Sequence, residues 1–313
     1  MAMKKRLLKI ELDISSITGD SQEASTLKYD ESLYLNVSIR KGAFNPRTSA
    51  TFDIGGLSQS SRQALLSSCN KYIKTNRDQA RTGDPANFVG VKILAGYQDD
   101  GLINLSPIFN GQVNMVELIS GPPNIITRLT AETNYIDKST YLRDTPPDRC
   151  TIRMFCEWAA KQMQLQLTIN TEMADVQVDN MGRTIYAVSD ILGVLQRDLP
   201  STVYSFIDGD ELIVIDRNKF RQNTDVLLID QFVGTPQWTE YGCSFVTMFN
   251  TNLKILSPVN LKSLLNPDLN APTWIINSLD YSLSSRNNNY TISANAIPSA
   301  GEPIPTVVTT RGA

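Results

Sequence analysis

Histidine is absent from all 313 residues. Its absence removes Ser-His-Asp and Cys-His catalysis, the usual zinc sites and an imidazole pH switch. Cysteine is scarce: Cys69, Cys150, Cys156 and Cys243 are scattered and form no C-x-x-C pair. They read as buried thiols acting as small hydrophobes, and a reducing cytoplasm disfavours a Cys150–Cys156 disulfide. No apolar run is long enough to span a bilayer, so membrane insertion is not expected. The start, Met1 to Asp13, is basic, but Lys9, Glu11 and Asp13 interrupt any signal-peptide core, so synthesis and folding in the cytoplasm are expected. A net charge of −3 argues against wrapping nucleic acid by phosphate neutralisation, although a pore that nucleic acid crosses with weak contact stays compatible. No phosphate-binding glycine loop occurs, and no cofactor or metal site is expected.

What is present is an ordinary globular composition, 41% apolar and 19% charged, in a chain long enough for two or three domains. The few chemical motifs dissolve on inspection. Ser68-Cys69-Asn70-Lys71 matches the S-x-x-K acyl-enzyme signature, but the S-D-N and K-T-G partners are missing and the tetrad lies on an amphipathic stretch. Asp208-Gly209-Asp210-Glu211 is acidic enough for calcium, yet a strand-like run follows at Leu212, so it reads as a hairpin turn. No carboxylate pair stands out for glycoside cleavage, and Trp158, Trp238 and Trp274 are too spread to form a base-stacking platform.

Period-2 alternation dominates the first part. Leu8, Ile10, Leu12 and Ile14 alternate with Lys9, Glu11 and Asp13; Leu33, Leu35, Val37 and Ile39 repeat the pattern; Thr48 to Ile54 forms a third strand. Ser60 and Gln63 suggest a capping box on a helix from Ser61 to Ile73. Val89 to Ala95 is a strand closed by Gly96-Tyr97, and Ile108 to Ile119 and Ile125 to Thr133 follow. Short strands at regular spacing read as a closed or nearly closed barrel. Beyond the Pro146-Pro147 linker the period changes. Thr151 caps a helix with Ile152, Phe155, Ala159 and Met163 on one face; a second helix, from Val188 to Leu195, stops before Pro200; Leu165 to Ile169 and a hairpin about Gly209 supply a small sheet. The last part, Val226 to Ile297, is β again. Within it Gly234-Thr235-Pro236 forms a corner, and Ser244 to Asn250 is apolar on both faces, with Phe245, Thr247 and Phe249 on one side and Val246 and Met248 on the other. Asn250 and Asn252 mark a turn, Lys254 to Ser263 is extended, and strands at Thr273 to Leu283 and Tyr290 to Ile297 pair through the Asn287–Asn289 turn.

Gly56-Leu57-Ser58, Ala95-Gly96-Tyr97, Phe109-Asn110-Gly111-Gln112-Val113 and the later Gly234-x-Pro236, Gly242 and Phe249-Asn250, in that order, resemble the phage baseplate hub proteins of contractile tails (late control protein D-like). Asparagine is usual in that family where Gly56 stands, and the histidine of its penultimate strand is missing near Asp280 and Tyr281. The resemblance implies a mainly β fold with an α+β module: two similar β-barrel domains at 1–140 and 217–300, a small α+β insert at 141–216 and a tail at 301–313. It implies a structural protein, not an enzyme. Its implied form is a homotrimeric ring of near-sixfold symmetry that adapts the sixfold tail tube to the threefold central spike and leaves a channel for the genome. The implied partners are the central spike protein, the tail tube protein, and the tape-measure and baseplate wedge proteins, with no specific nucleic-acid binding, in the baseplate of the virion tail. Only residues 298–313 follow the second barrel, so the spike is expected on a separate protein. The doubly apolar run makes Val246 and Met248 the candidate subunit interface. The competing readings are the hub of a phage-derived injection particle and, from a different class, a β-rich cell-wall hydrolase or glycan-binding protein.

Overall fold

The computed structural model describes residues 5–13, 26–43, 47–63, 65–66, 89–99, 101–121, 124–133, 142–209, 211–216 and 226–299. The Ser68–Lys71 tetrad, Cys69, the later part of the first helix and the tail lie outside the described residues. Among the described residues seven strands form the first segment: β1 (Lys5–Asp13), β2 (Thr26–Tyr29), β3 (Tyr34–Gly42), β4 (Ser49–Gly55), β5 (Gly90–Asp99), β6 (Leu102–Leu118) and β7 (Ile126–Glu132). The alternation works as read, with Leu8, Ile10 and Leu12 buried on β1 and Leu35, Val37 and Ile39 buried on β3. Two local expectations shift. Helix α1 (59–63 and 65–66 among the described residues) starts earlier than Ser61, because Ser58 is the residue whose hydroxyl accepts the Ser61 N–H, at 3.1 Å. Gly96-Tyr97 does not close β5: both residues stay in register with β1 and β6, and the turn falls at Gly101, where φ is +84°.

The last segment contributes β13 (Leu227–Ile229), β14 (Gln237–Thr239), β15 (Gly242–Met248), β16 (Pro258–Leu261), β17 (Thr273–Ser284) and β18 (Tyr290–Pro298). The extended run expected from Lys254 is interrupted: Leu256 sits at φ +60° and Ser257 N–H bonds back to Lys254, so only Pro258 to Leu261 is strand. All thirteen strands belong to one sheet. Within it the two segments repeat one order. The first reads β3-β4-β7-β6-β5-β1, with β2 added beyond β1; the second reads β14-β15-β18-β17-β16-β13. Corresponding pairs are antiparallel in both, except that β13 runs parallel to β16 where β1 opposes β5. The segments are joined edge to edge by β3 and β17, from Gly42 opposite Ser278 to Asn36 opposite Ser284. One apolar core runs through both, from Leu8 and Phe52 to Trp274 and Ile292.

Between them lie β8 (Arg149–Thr151), α2 (Ile152–Met163), β9 (Gln166–Asn170), β10 (Gln177–Asp179), α3 (Val188–Asp198), β11 (Val203–Asp208) and β12 (Glu211–Asp216). Thr151 caps α2 by accepting the Met154 N–H at 3.3 Å. The Asp190 carboxylate takes the N–H of Ala187 at 2.9 Å ahead of α3. The β11–β12 hairpin turns at Gly209, φ +65°, and is covered on both faces. Ile207, Leu212 and Val214 pack with the helices in a second core. Phe206, Ile213 and Ile215 belong to the core of the large sheet. This hairpin is therefore a wall shared by two cores, which explains why it is apolar at consecutive positions.

Candidate functional site

β15 places the two residues singled out by the doubly apolar run. Cys243, Phe245 and Thr247 point inward and are buried, while Ser244, Val246 and Met248 point outward and are half-buried in the single chain. Phe245 meets the Phe232 ring edge-on at 6.1 Å, and the Thr247 hydroxyl donates to the Gln231 carbonyl at 2.9 Å. Burial pushes the Cys243 thiol up to about 12, so it stays protonated at neutral pH. Val246 accepts the N–H of Val233 at 2.7 Å, which lays residues 231–233 along the same edge as β14. Met248 and Leu228 line a hollow of about 300 Å³ reaching to Tyr97 and Asn104 of the β5–β6 hairpin.

Val226, Leu228, Val233 and Tyr241 are exposed, and Leu264 and Leu265 are 92% and 79% exposed. The two leucines are held out by an ordered loop. Asn270 accepts the Ser263 N–H at 2.6 Å and donates to the Ser263 carbonyl at 2.9 Å, and Asn266 donates to the Pro236 carbonyl at 3.4 Å. Scattered exposed apolar residues are ordinary; these two stand on a loop that its own hydrogen bonds hold in place. Alternation puts Val246 and Met248 on the face opposite Phe245, where they lie; it says nothing of Leu264 and Leu265, an adjacent leucine pair between turn residues.

Among the described residues no group of three or more His, Cys, Asp and Glu side chains converges on a metal position. Cys150, Cys156 and Cys243 are free and buried, and Cys156 is pushed up to about 12 by burial, with Cys150 and Glu157 adding to it. Asp208, in the hairpin turn, binds Lys41 of β3 at 2.7 Å, with the lysine ammonium 5.9 Å from the Tyr281 ring centroid. Asp53 and Arg128 form a two-point pair across β4 and β7, at 2.7 and 3.0 Å. Among the described residues no helix is long and apolar enough to cross a membrane.

A sequence model of the family described as baseplate hub gp41 matches residues 8–296. No curated protein sequence matches the chain. Among solved structures, the 43 kDa tail protein of prophage MuSo2 from Shewanella oneidensis is similar at TM-score 0.54 and 8% identity, over 93% of this chain and 98% of that one. The E. coli c3393 protein, a component of the type VI secretion system, gives TM-score 0.53 at 9% identity, over 94% and 77%. A tail protein from Neisseria meningitidis gives 0.50 at 9%, over 93% and 96%. At such identities these likenesses establish the mainly β fold.

Proposed function

Because the chain belongs to the baseplate hub gp41 family, a structural component of the phage tail baseplate, we propose that it assembles as a homotrimeric ring that adapts the sixfold tail tube to the threefold central spike. The observation that carries this reading is the repeat: two segments of one strand order, fused edge to edge in each chain. Three such chains present six near-equivalent units to a sixfold tube while keeping threefold symmetry toward the spike. We read 1–140 and 217–300 as the two barrel units, 141–216 as the α+β module between them and 301–313 as the tail. Val246 and Met248, beside Leu228 and Val233, form part of the subunit contact. The spike and the tube protein bind opposite ends of the ring, the tape-measure and wedge proteins are further partners, and the genome passes through the centre without specific binding. The work is geometric adaptation rather than turnover. Sedimentation of the purified chain tests it: a trimer is expected, and a monomer or dimer at high concentration would remove the ring.

A further inference from the structure

A second hollow lies where the large sheet meets the β11–β12 hairpin. It holds about 340 Å³ and is walled by Lys41 of β3, Lys92 and Ile108 of the β5–β6 hairpin, and Asp208 and Glu211 beside the β11–β12 turn. The turn that follows β15, from Phe249 to Lys254, forms another side. Local structure sets these walls. Ile108 is the extra residue of a bulge in β6, since Phe109 stands opposite Ile93 and Pro107 opposite Leu94. The turn after β15 is held by its own bonds: the Asn252 N–H donates to the Asn250 side-chain oxygen at 3.0 Å, and the Leu253 N–H to the Asn250 carbonyl at 3.3 Å. Its volume puts the hollow at the small end of ligand sites, which run from about 300 to 1,000 Å³.

Charge decides what such a space can hold. Three lysines, Lys41, Lys92 and Lys254, line it with the two carboxylates. Both carboxylates are already engaged. Asp208 binds Lys41 at 2.7 Å, Glu211 accepts the Thr168 hydroxyl, and each has a further interaction. Lys92 and Lys254 are exposed and have neither an ion pair nor a hydrogen-bond partner among the described residues. The hollow therefore carries uncompensated positive charge in a chain whose net charge is −3.

Tyr281 of β17 adds an unused donor. The residue is 5% exposed and lines the hollow, and its hydroxyl has no hydrogen-bond partner among the described residues. A buried phenol left in that state loses its water without recompense. Unlike the Asn277 side-chain oxygen, which is sealed in the packing, the phenol oxygen keeps access to the hollow. Burial, with the Asp208 charge adding to it, pushes the Tyr281 phenol above its ordinary range, so it stays a donor at neutral pH.

We infer that this hollow binds a small organic oxyanion, a phosphate or carboxylate group on a compact apolar body. Lys92 and Lys254 pair with the oxyanion, the Tyr281 hydroxyl donates to the ligand, and Ile108, Phe249 and Leu253 pack on its body. Such a ligand touches the β5–β6 hairpin, the turn after β15 and the β11–β12 hairpin at once, so binding stabilises their junction.

Calorimetric titration of the full chain with phenyl phosphate, benzoate, inorganic phosphate and benzylamine, at constant ionic strength, tests the site. Phenyl phosphate or benzoate is expected to bind once per chain and to raise the melting temperature, and the tighter of the two tells phosphate from carboxylate. Lys92→Gln/Lys254→Gln should weaken that binding about tenfold or more, the scale of lost charge-assisted hydrogen bonds, and should leave unliganded melting unchanged because both lysines are exposed. Tyr281→Phe removes a hydroxyl that has no partner, so unliganded stability should hold while binding weakens about threefold to tenfold. A tyrosine with only a structural role would show the reverse and would overturn its part in the site. Benzylamine binding ahead of the anions overturns the inference, since the carboxylates would then govern the hollow. So does inorganic phosphate binding as tightly as phenyl phosphate, because the apolar walls would add nothing. Failure of both aromatic anions to bind at millimolar concentration overturns it too, as does binding that the double lysine variant leaves unchanged.

Discussion

The hydroxyl of Tyr290 on β18 accepts the backbone N–H of Gly96 on β5 at 3.1 Å, and it donates to the Leu7 carbonyl on β1 at 2.6 Å. Its ring meets Phe249 and Tyr97 edge-on at 5.4 and 5.5 Å, so one side chain ties the last strand to the first segment. Tyr290→Phe keeps the ring and leaves those buried groups without the hydroxyl. A loss of about 1–2 kcal/mol is expected, read as a lower urea midpoint with an unchanged m-value.

Gly96 is fixed by a second constraint. A Cβ there would stand 1.8 Å from the Asn104 carbonyl oxygen, a backbone atom that cannot rotate away. Gly96→Ala should therefore destabilise by about 3 kcal/mol, more than Tyr290→Phe, in thermal or urea unfolding. Equal stability to the wild type would mean that β5 and β6 are not this close.

Lys41 and Asp208 join the large sheet to the shared hairpin, with side chains only 12% and 11% exposed. Lys41→Met takes this cation from a buried carboxylate that keeps its other interactions and should cost about 3 kcal/mol. Lys41→Met/Asp208→Leu, which removes both charges, should recover much of that loss. A double variant no better than the single one would show that packing, not charge, decides the site.

Alkaline conditions should weaken the fold. Cys156 and Cys243 are each held near 12 by burial, whereas an unfolded thiol ionises near about 8.5. The folded state then binds more protons, so their contribution is complete below about pH 8.5 and declines as pH rises toward 12, by up to about 1.4 kcal/mol per pH unit for each thiol. Urea unfolding at pH 8 and pH 10 measures the slope. Fast modification of these thiols in the native protein would contradict their burial.

The assembly surface is tested by Met248→Asp. Met248 lies on the outer, half-buried face of β15, so a charge there should be tolerated by the monomer and not by a subunit contact. Folded monomer by sedimentation, with near-native circular dichroism, is the expected outcome. An unfolded chain would make Met248 core, and an intact trimer would make that face solvated.

The long strands were legible because nine residues of alternation, as in β1 and β3, give several repeats of the period. β8, β10, β13 and β14 span three residues each, too few to show any period, and they exist because neighbouring strands offer an edge. The Ser58 cap was misplaced because several hydroxyl residues stand together there and only the backbone direction chooses among them. Val246 and Met248 followed from alternation. The bulges at Asn114 of β6 and Asn277 of β17, which hold the same place in the two segments, did not, because the two stretches hardly share a residue. The β3–β17 joint links residues more than two hundred positions apart, which no local pattern reports.

That distance along the chain has a consequence for synthesis. β3 leaves the ribosome long before β17, and until β17 follows, the edge of β3 is open to any strand that meets it. The shared wall waits likewise, since Phe206, Ile213 and Ile215 have no complete floor until the last strands arrive. A nascent or truncated chain is thus an adhesive object, and only the finished chain closes its internal joint. A chain cut short before β17 would keep the β3 edge open, whereas the finished chain covers it with its own strand.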